Sequence, residues 1–353
     1  MNNQKLLQLV TDAGANIASD LHLMAGARPA FRVNGAIVFA EDNPLSVEEV
    51  TTMAFSLLNP AQRERWERDW GVAVGFTHPI AGRIRATVYR RDGHPELSVR
   101  LCGDHVPPRA ELGLPEKVDE FVARPGGLIL IAGPSGSGRT TTFNYLLDRL
   151  NRSRHCRIIT IEDPVEYVHP GIGSSVLQQE VHTDTRSMAA GAAHALRQDA
   201  EVIGLGLIGD ADTAAAAVQA AETGHLVLGT IAAAGAVSAL ERLAAWLEEP
   251  RRECRLRALA RGLVGVLGQR LLPAAGTARR VLACEVLPAG ASVRELVRAG
   301  AWPQLEADFQ AGRLEQAETL DDALNRLQGA GAISPETAQA HARVPGRVPR
   351  RQE

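Results

Sequence analysis

Lysine is nearly missing from this 353-residue chain: only Lys5 and Lys117 carry it, so almost all positive charge is arginine. Wherever a motif asks for lysine, an arginine there has this chain-wide bias behind it. Aromatic residues make up 4% and the formal net charge is -3. A basic stripe with interleaved aromatics for stacking on nucleic-acid bases is therefore absent, and no nucleic-acid partner is expected. The four cysteines, Cys102, Cys156, Cys254 and Cys284, lie far apart with no metal-ligand spacing, and read as small buried hydrophobes in a reducing compartment. No apolar run approaches the length of a membrane span, and Met1–Lys5 lacks the charged-then-apolar pattern of a signal segment. The expectation is a soluble cytoplasmic protein, one that can still work against a membrane-bound partner.

What is present suits a folded chain with more than one core. The apolar fraction is 45%, and the length exceeds that of one ordinary domain. Residues 4 to 14 place Leu6, Leu7, Val10 and Ala13 at helical spacing, and Ala18–Leu23 alternates like a strand. Phe31–Val33 and Ala36–Phe39 flank Asn34-Gly35, a hairpin signal. Ser46 with Glu49 makes a capping-box pattern ahead of a helix carrying Val47, Val50, Met53, Ala54, Leu57 and Leu58. Three further strands are expected at 72–76, 82–89 and 96–101, closing a small α+β domain at the Pro107-Pro108 linker.

From there strand and helix alternate. Strands are expected at 128–132, 157–161, 176–181, 202–208 and 226–229, with helices after Arg139, over 187–197, and over 213–223 capped by Asp212. Short apolar strands separated by helices indicate a doubly wound α/β domain. After Leu272 the chain reads as mostly helical, and the Arg- and Pro-rich end reads as disordered. The domains expected are thus 1–106, 107–272, 273–342 and a tail at 343–353.

The most specific stretch is the strand at 128–132 running into Gly133-Pro134-Ser135-Gly136-Ser137-Gly138-Arg139-Thr140-Thr141. Its spacing is that of a phosphate-binding P-loop, with Arg139 where the pattern has lysine. Glycines at 133, 136 and 138 permit the crowded or left-handed conformations that turn N–H groups toward a phosphate, and the following helix adds its positive end. Arg139 keeps a cation, but a larger, planar one. ATP with Mg²⁺ is the implied cofactor, and Thr140 is the candidate metal ligand within the loop. Glu162, Asp163 and Glu166 follow the next strand; they either shape a turn at Pro164 or act near Mg²⁺, Glu162 as a ligand. His225, after Gly224, is either a packing residue or a phosphate sensor.

In this order the motifs resemble the type IV pilus retraction (twitching motility, PilT-type) ATPases of the hexameric secretion ATPases. The resemblance runs from about Leu6 to Ala338. It rests on Ala18–Leu23 with Gly26, Pro29, Arg32 and Gly35, on the P-loop, on Ile158–Glu166, on Ala221–Val227 and on Ser292–Arg298. It implies a RecA-like P-loop NTPase core behind a PAS-like N-terminal domain, with a helical C-terminal region. It also implies a homo-hexamer or an assembly with a paralogous ATPase, working on an inner-membrane pilus platform protein. Arg83, Arg85 and Arg100 fall where the family carries arginines that reach the nucleotide edge; paired with surface carboxylates is the alternative.

Departures from the family pattern cluster around the expected nucleotide. Leu207 stands where the family has the glutamate that orients the attacking water, Gly209 and Ala193 where it has basic residues, and Ala232 where it has its second histidine. Phosphoryl transfer depends on positioning and charge stabilisation acting together. The sequence thus leaves two readings: an ATP-binding motor subunit with impaired hydrolysis, or a non-catalytic accessory paralogue of an active pilus or type II secretion ATPase.

Overall fold

The computed structural model describes residues 3–33, 35–103, 105–247, 252–277, 279–344 and 346–348. They form two units: residues up to His105 together with Asp163–Val168, and Val106–Glu162 together with the residues from His169 onward.

The first unit contains α1 (Gln4–Ala15), β1 (Asp20–Leu23), β2 (Ala30–Val33), β3 (Ala36–Phe39), α2 (Val47–Phe55), α3 (Pro60–Asp69), β4 (Gly71–His78), β5 (Gly82–Arg91) and β6 (His94–Leu101). Its antiparallel sheet has the order β3-β2-β1-β6-β5-β4. Helical spacing puts Leu6, Leu9, Val10 and Ala13 on one buried face of α1, in one core with Leu21, Leu23, Ile84 and Val99 from the strands. The Ser46–Glu49 capping box forms at the start of α2. That helix stops at Phe55, so Leu57 and Leu58 lie beyond it rather than on its face. Strands β2 and β3 pair through Val33 and Ala36, as a two-residue hairpin requires, although Asn34 itself lies outside the described residues. Helix α3 is unanticipated, yet Asn59 and Gln62 give it a second capping box.

The second unit opens with the short helices α4 (Arg109–Leu112) and α5 (Lys117–Val122), then β7 (Gly127–Gly133), α6 (Arg139–Ser153), β8 (Arg157–Glu162) and β9 (Ser175–Glu180). It continues with α7 (Met188–Ala195), β10 (Val202–Leu205), α8 (Ala211–Glu222), β11 (Leu226–Ala232), α9 (Ala236–Ala245), α10 (Arg252–Gly262), β12 (Leu263–Pro273) and β13 (Arg280–Pro288). Helices α11 (Ala291–Ala299), α12 (Trp302–Gln310), α13 (Leu320–Gly329) and α14 (Pro335–His341) complete it. The sheet order is β13-β12-β7-β11-β10-β8-β9. Strand β7 is buried along its whole length, with Leu128, Leu130 and Ala132 in one core layer and Ile129 and Ile131 in the other. Burial on both faces is why these strands read as continuous apolar runs.

Three expectations change here. The boundary expected at 272 falls inside β12, which pairs antiparallel with β13 from Gly265–Pro288 to Pro273–Arg280, a strand within the mostly helical region that follows. Asp210, not Asp212, caps α8, accepting from Thr213 N at 2.7 Å. Of the cysteines, Cys102 and Cys284 are buried, whereas Cys254 is exposed. Among the described residues no helix is long and apolar enough to cross a membrane.

The C-terminal segment is also not loose from residue 343. Buried Asp321 accepts from Arg343 N at 2.7 Å and Val344 N at 2.9 Å, and Val348 is buried. The Arg343 guanidinium pairs at 3.0 Å with Glu285 of β13 and donates to Ala234 O at 2.9 Å. Residues 349–353 lie outside the described residues. Gly235 and Gly268 make room for this pair: a Cβ at Gly235 would meet Arg343 Nη2 at 2.0 Å, and one at Gly268 would meet Glu285 Oε2 at 2.3 Å. Burial raises the pKa of Glu285, opposed by the Arg343 charge. Arg343→Ala strands that carboxylate, so urea unfolding should show a loss of about 3 kcal/mol, of which Glu285→Gln in the same chain restores part.

Candidate nucleotide site

Strand β7 ends at Gly133 and α6 starts at Arg139, leaving residues 134–138 as the connecting loop. Gly136 and Gly138 hold φ of 76° and 89°, a left-handed backbone that glycine adopts without strain. The loop folds closely over the strand end: a Cβ at Gly133 would lie 2.2 Å from Ser137 Oγ and 2.7 Å from Gln269 O. Helix α6 has no side-chain cap, which leaves its first-turn amides available to an anion. Two more groups at the loop lack a partner, the buried Ser137 Oγ and Arg139 Nη1. Burial lowers the Arg139 pKa, and the nearby Arg242 charge acts in the same direction. Crowded cations and orphaned buried donors around a glycine-rich turn fit a phosphate group. Pro134 and Ser135 lie exposed on the loop, and Thr140 and Thr141 are half-buried in the first turn of α6.

Three strands along the sheet, β8 ends at Glu162, which is 3% exposed. Its Oε1 accepts from Thr160 Oγ1 at 2.7 Å and from Gln178 Nε2 at 3.0 Å. The chain beyond β10 lies against it: a Cβ at Gly206 would meet Glu162 Cα at 3.2 Å. The next side chain, Leu207, is 44% exposed and carries no polar atom. Thr140 and Glu162 carry oxygen donors of the type that Mg²⁺ takes, a cation usually held by one or two side chains with the remaining positions filled by phosphate and water. No group of three or more metal-ligating side chains occurs among the described residues.

The other candidates have partners of their own. His225 precedes β11, which runs parallel to β7 with Leu226 beside Gly127 and Ala232 beside Gly133. Seven strand steps of about 3.3 Å put His225 about 23 Å from the loop end of the sheet. Within its own chain it lies away from the loop, and its ring bonds Thr223 Oγ1 at 3.0 Å. Arg83 donates to Val165 O at 2.8 Å, Arg85 pairs with Glu166 at 3.1 Å and Arg100 with Asp20 at 2.9 Å, all within the first unit. Asp163 is exposed and belongs to that unit too.

Sequence reasoning missed two features. Arg242 of α9 donates to Ala232 O at 2.9 Å, on the strand residue paired with Gly133. His169, buried at 7% exposure, bonds Asn144 Oδ1 of α6 through Nε2 at 2.8 Å. Neither carries a local motif; only strand order brings them to the loop.

A mostly parallel sheet with a glycine-rich loop at the carboxyl end of a buried strand defines a RecA-like P-loop fold. Residues 111–342 match the family described as "Type II/IV secretion system protein", and the chain belongs to that family. It is 32% identical over 340 residues to the type IV pilus retraction ATPase PilT of Pseudomonas aeruginosa, covering 96% of this chain and 98% of that one. To the type IV pilus ATPase PilU of the same organism it is 31% identical, over 97% of this chain and 89% of the relative. The crystal structure of the pilus retraction motor PilT with bound ADP superimposes with a TM-score of 0.85 at 36% identity, covering 96% and 97% of the two chains.

Burial lowers the His169 pKa, outweighing the Asp148 charge that raises it, with Arg152 adding to the lowering. Its folded value lies below the unfolded one, so the unfolded chain takes the proton first as pH falls. The urea midpoint should therefore drop from pH 7.5 to pH 5.5, and the drop should shrink in His169→Gln.

Proposed function

We propose that this protein is an ATP-binding subunit of the kind that drives type IV pilus retraction and twitching motility, with impaired hydrolysis. Loop 133–140 would hold the phosphates through backbone amides, Ser137 and Arg139, with Thr140 and Glu162 toward Mg²⁺. When bound, Mg²⁺ would offset phosphate charge. The reading draws support from the ADP in the related PilT structure and from the unpartnered donors at the loop. The observation that carries the impairment is Leu207, an apolar side chain where the family places its water-orienting carboxylate. Glu162, the nearest acid on the neighbouring strand, is already engaged by Thr160 and Gln178.

The same observation favours a second reading, a non-catalytic subunit that modulates an active paralogue. Under either reading the protein acts in the cytoplasm as part of a hexameric assembly, peripheral to the inner membrane through a pilus or secretion machine.

Losing one positioned catalytic group costs on the order of 10²–10⁴ in rate. Wild-type protein should bind ADP and ATP in calorimetry yet turn over Mg-ATP at least about 10²-fold more slowly than a relative with the glutamate. Leu207→Glu should raise turnover without changing ADP affinity. Fast wild-type turnover removes the impairment, and an absence of nucleotide binding by folded protein removes the whole reading.

A further inference from the structure

The chain leaves the second unit after Glu162 and returns to it at His169. One side chain of β9 holds both ends: Gln178 Oε1 accepts from His169 N at 2.8 Å, and Gln178 Nε2 donates to Glu162 Oε1 at 3.0 Å. From His169 the path continues into α6. Its Nε2 meets Asn144 Oδ1 at 2.8 Å, and Asn144 Nδ2 donates to Thr140 O at 2.9 Å. With the Asn144 amide nitrogen donating to Thr140, Oδ1 is left to accept, so the His169 proton sits on Nε2. Asn144, Thr160 and Glu162 are 0%, 0% and 3% exposed, so water competes little with these bonds.

We infer that His169 is a positioning residue, joining the loop helix at Thr140 to the acidic strand end at Glu162 through Asn144 and Gln178. The inference rests on the phosphate-site reading above. Thr140 and Glu162 come from different elements, the first turn of α6 and the last residue of β8, and a shared metal requires a fixed separation. The sheet alone does not fix it, because β8 and β7 are not neighbours: β11 and β10 stand between them. The buried circuit spans that gap from the helix side. His169 itself bonds Gln178 and Asn144, and acts on Glu162 and Thr140 through them.

The test is calorimetric titration of ADP, in EDTA and in Mg²⁺, into wild type, His169→Leu, His169→Gln and Gln178→Met, with amide exchange of residues 139–144 in the nucleotide-free proteins. Outer-shell partners of metal ligands are typically worth 10–100-fold in metal affinity. His169→Leu should therefore lose about tenfold of the Mg²⁺-dependent gain in ADP affinity, keep its affinity in EDTA within about twofold, and exchange faster over 139–144. The Gln side chain can still donate to Asn144, so His169→Gln should recover most of the gain. Gln178→Met cuts the circuit at its other end, should reproduce the leucine result, and decides the matter if His169→Leu does not fold. An unchanged Mg²⁺-dependent gain in the folded variants overturns the inference, and so does an equal loss with and without Mg²⁺. Wild-type protein that binds no ADP overturns the phosphate-site reading first, and is told apart because it fails before any substitution.

Discussion

The parallel registration of β7 with its two neighbours is the constraint on which the rest depends. Gly127–Gly133 pairs residue by residue with Leu226–Ala232, and Ile129–Ala132 pairs with Gly265–Gly268. Those pairings bring three strands side by side at the loop. They set Ala232, with Arg242 on its carbonyl, beside Gly133, and Gly268 in the row leading to Glu285. The C-terminal segment then reaches the same edge, where Arg343 bonds the Ala234 carbonyl and the buried carboxylate. A one-residue slip would exchange the side chains that β7 sends into its two core layers and move Gly133 out of line with Ala232.

Within that frame the proposed phosphate loop has the turn geometry it needs, and apolar side chains stand near it at neighbouring strand ends. The positive-φ glycines, the uncapped start of α6 and the orphaned donors of Ser137 and Arg139 remain. Leu207 and Ala232 stand at strand ends that face the same edge of the sheet, without polar side chains. The first unit keeps its arginines on partners of its own, Arg85 on Glu166 and Arg100 on Asp20.

The sequence made the cradle legible because strand, glycine turn and helix are contiguous, and the local signals there agree. The α/β core was legible for a similar reason, since strands buried on both faces leave unbroken apolar runs. Strand β13 was hidden by Glu285, a charge in the middle of its run whose partner Arg343 lies far along the chain. The place of His225 was not legible because a motif gives no end of a strand; only the register with β7 shows that Ala232 occupies the loop end. His169 and Arg242 had no local signal, as their meaning depends on which helices and strands the sheet order brings together. Helix α3 did carry a signal in Asn59-Pro60-Ala61-Gln62, but its charged sequence offered a single buried side chain, Trp66, to periodicity.

The central claim, a phosphate cradle separated from its hydrolytic partners, is tested most directly by one single-turnover measurement. Protein in excess is mixed with γ-labelled Mg-ATP, and bound nucleotide and released phosphate are followed in the same sample. The account predicts that ATP becomes protein-bound and stays intact long after binding is complete. Release of phosphate as fast as binding would contradict it.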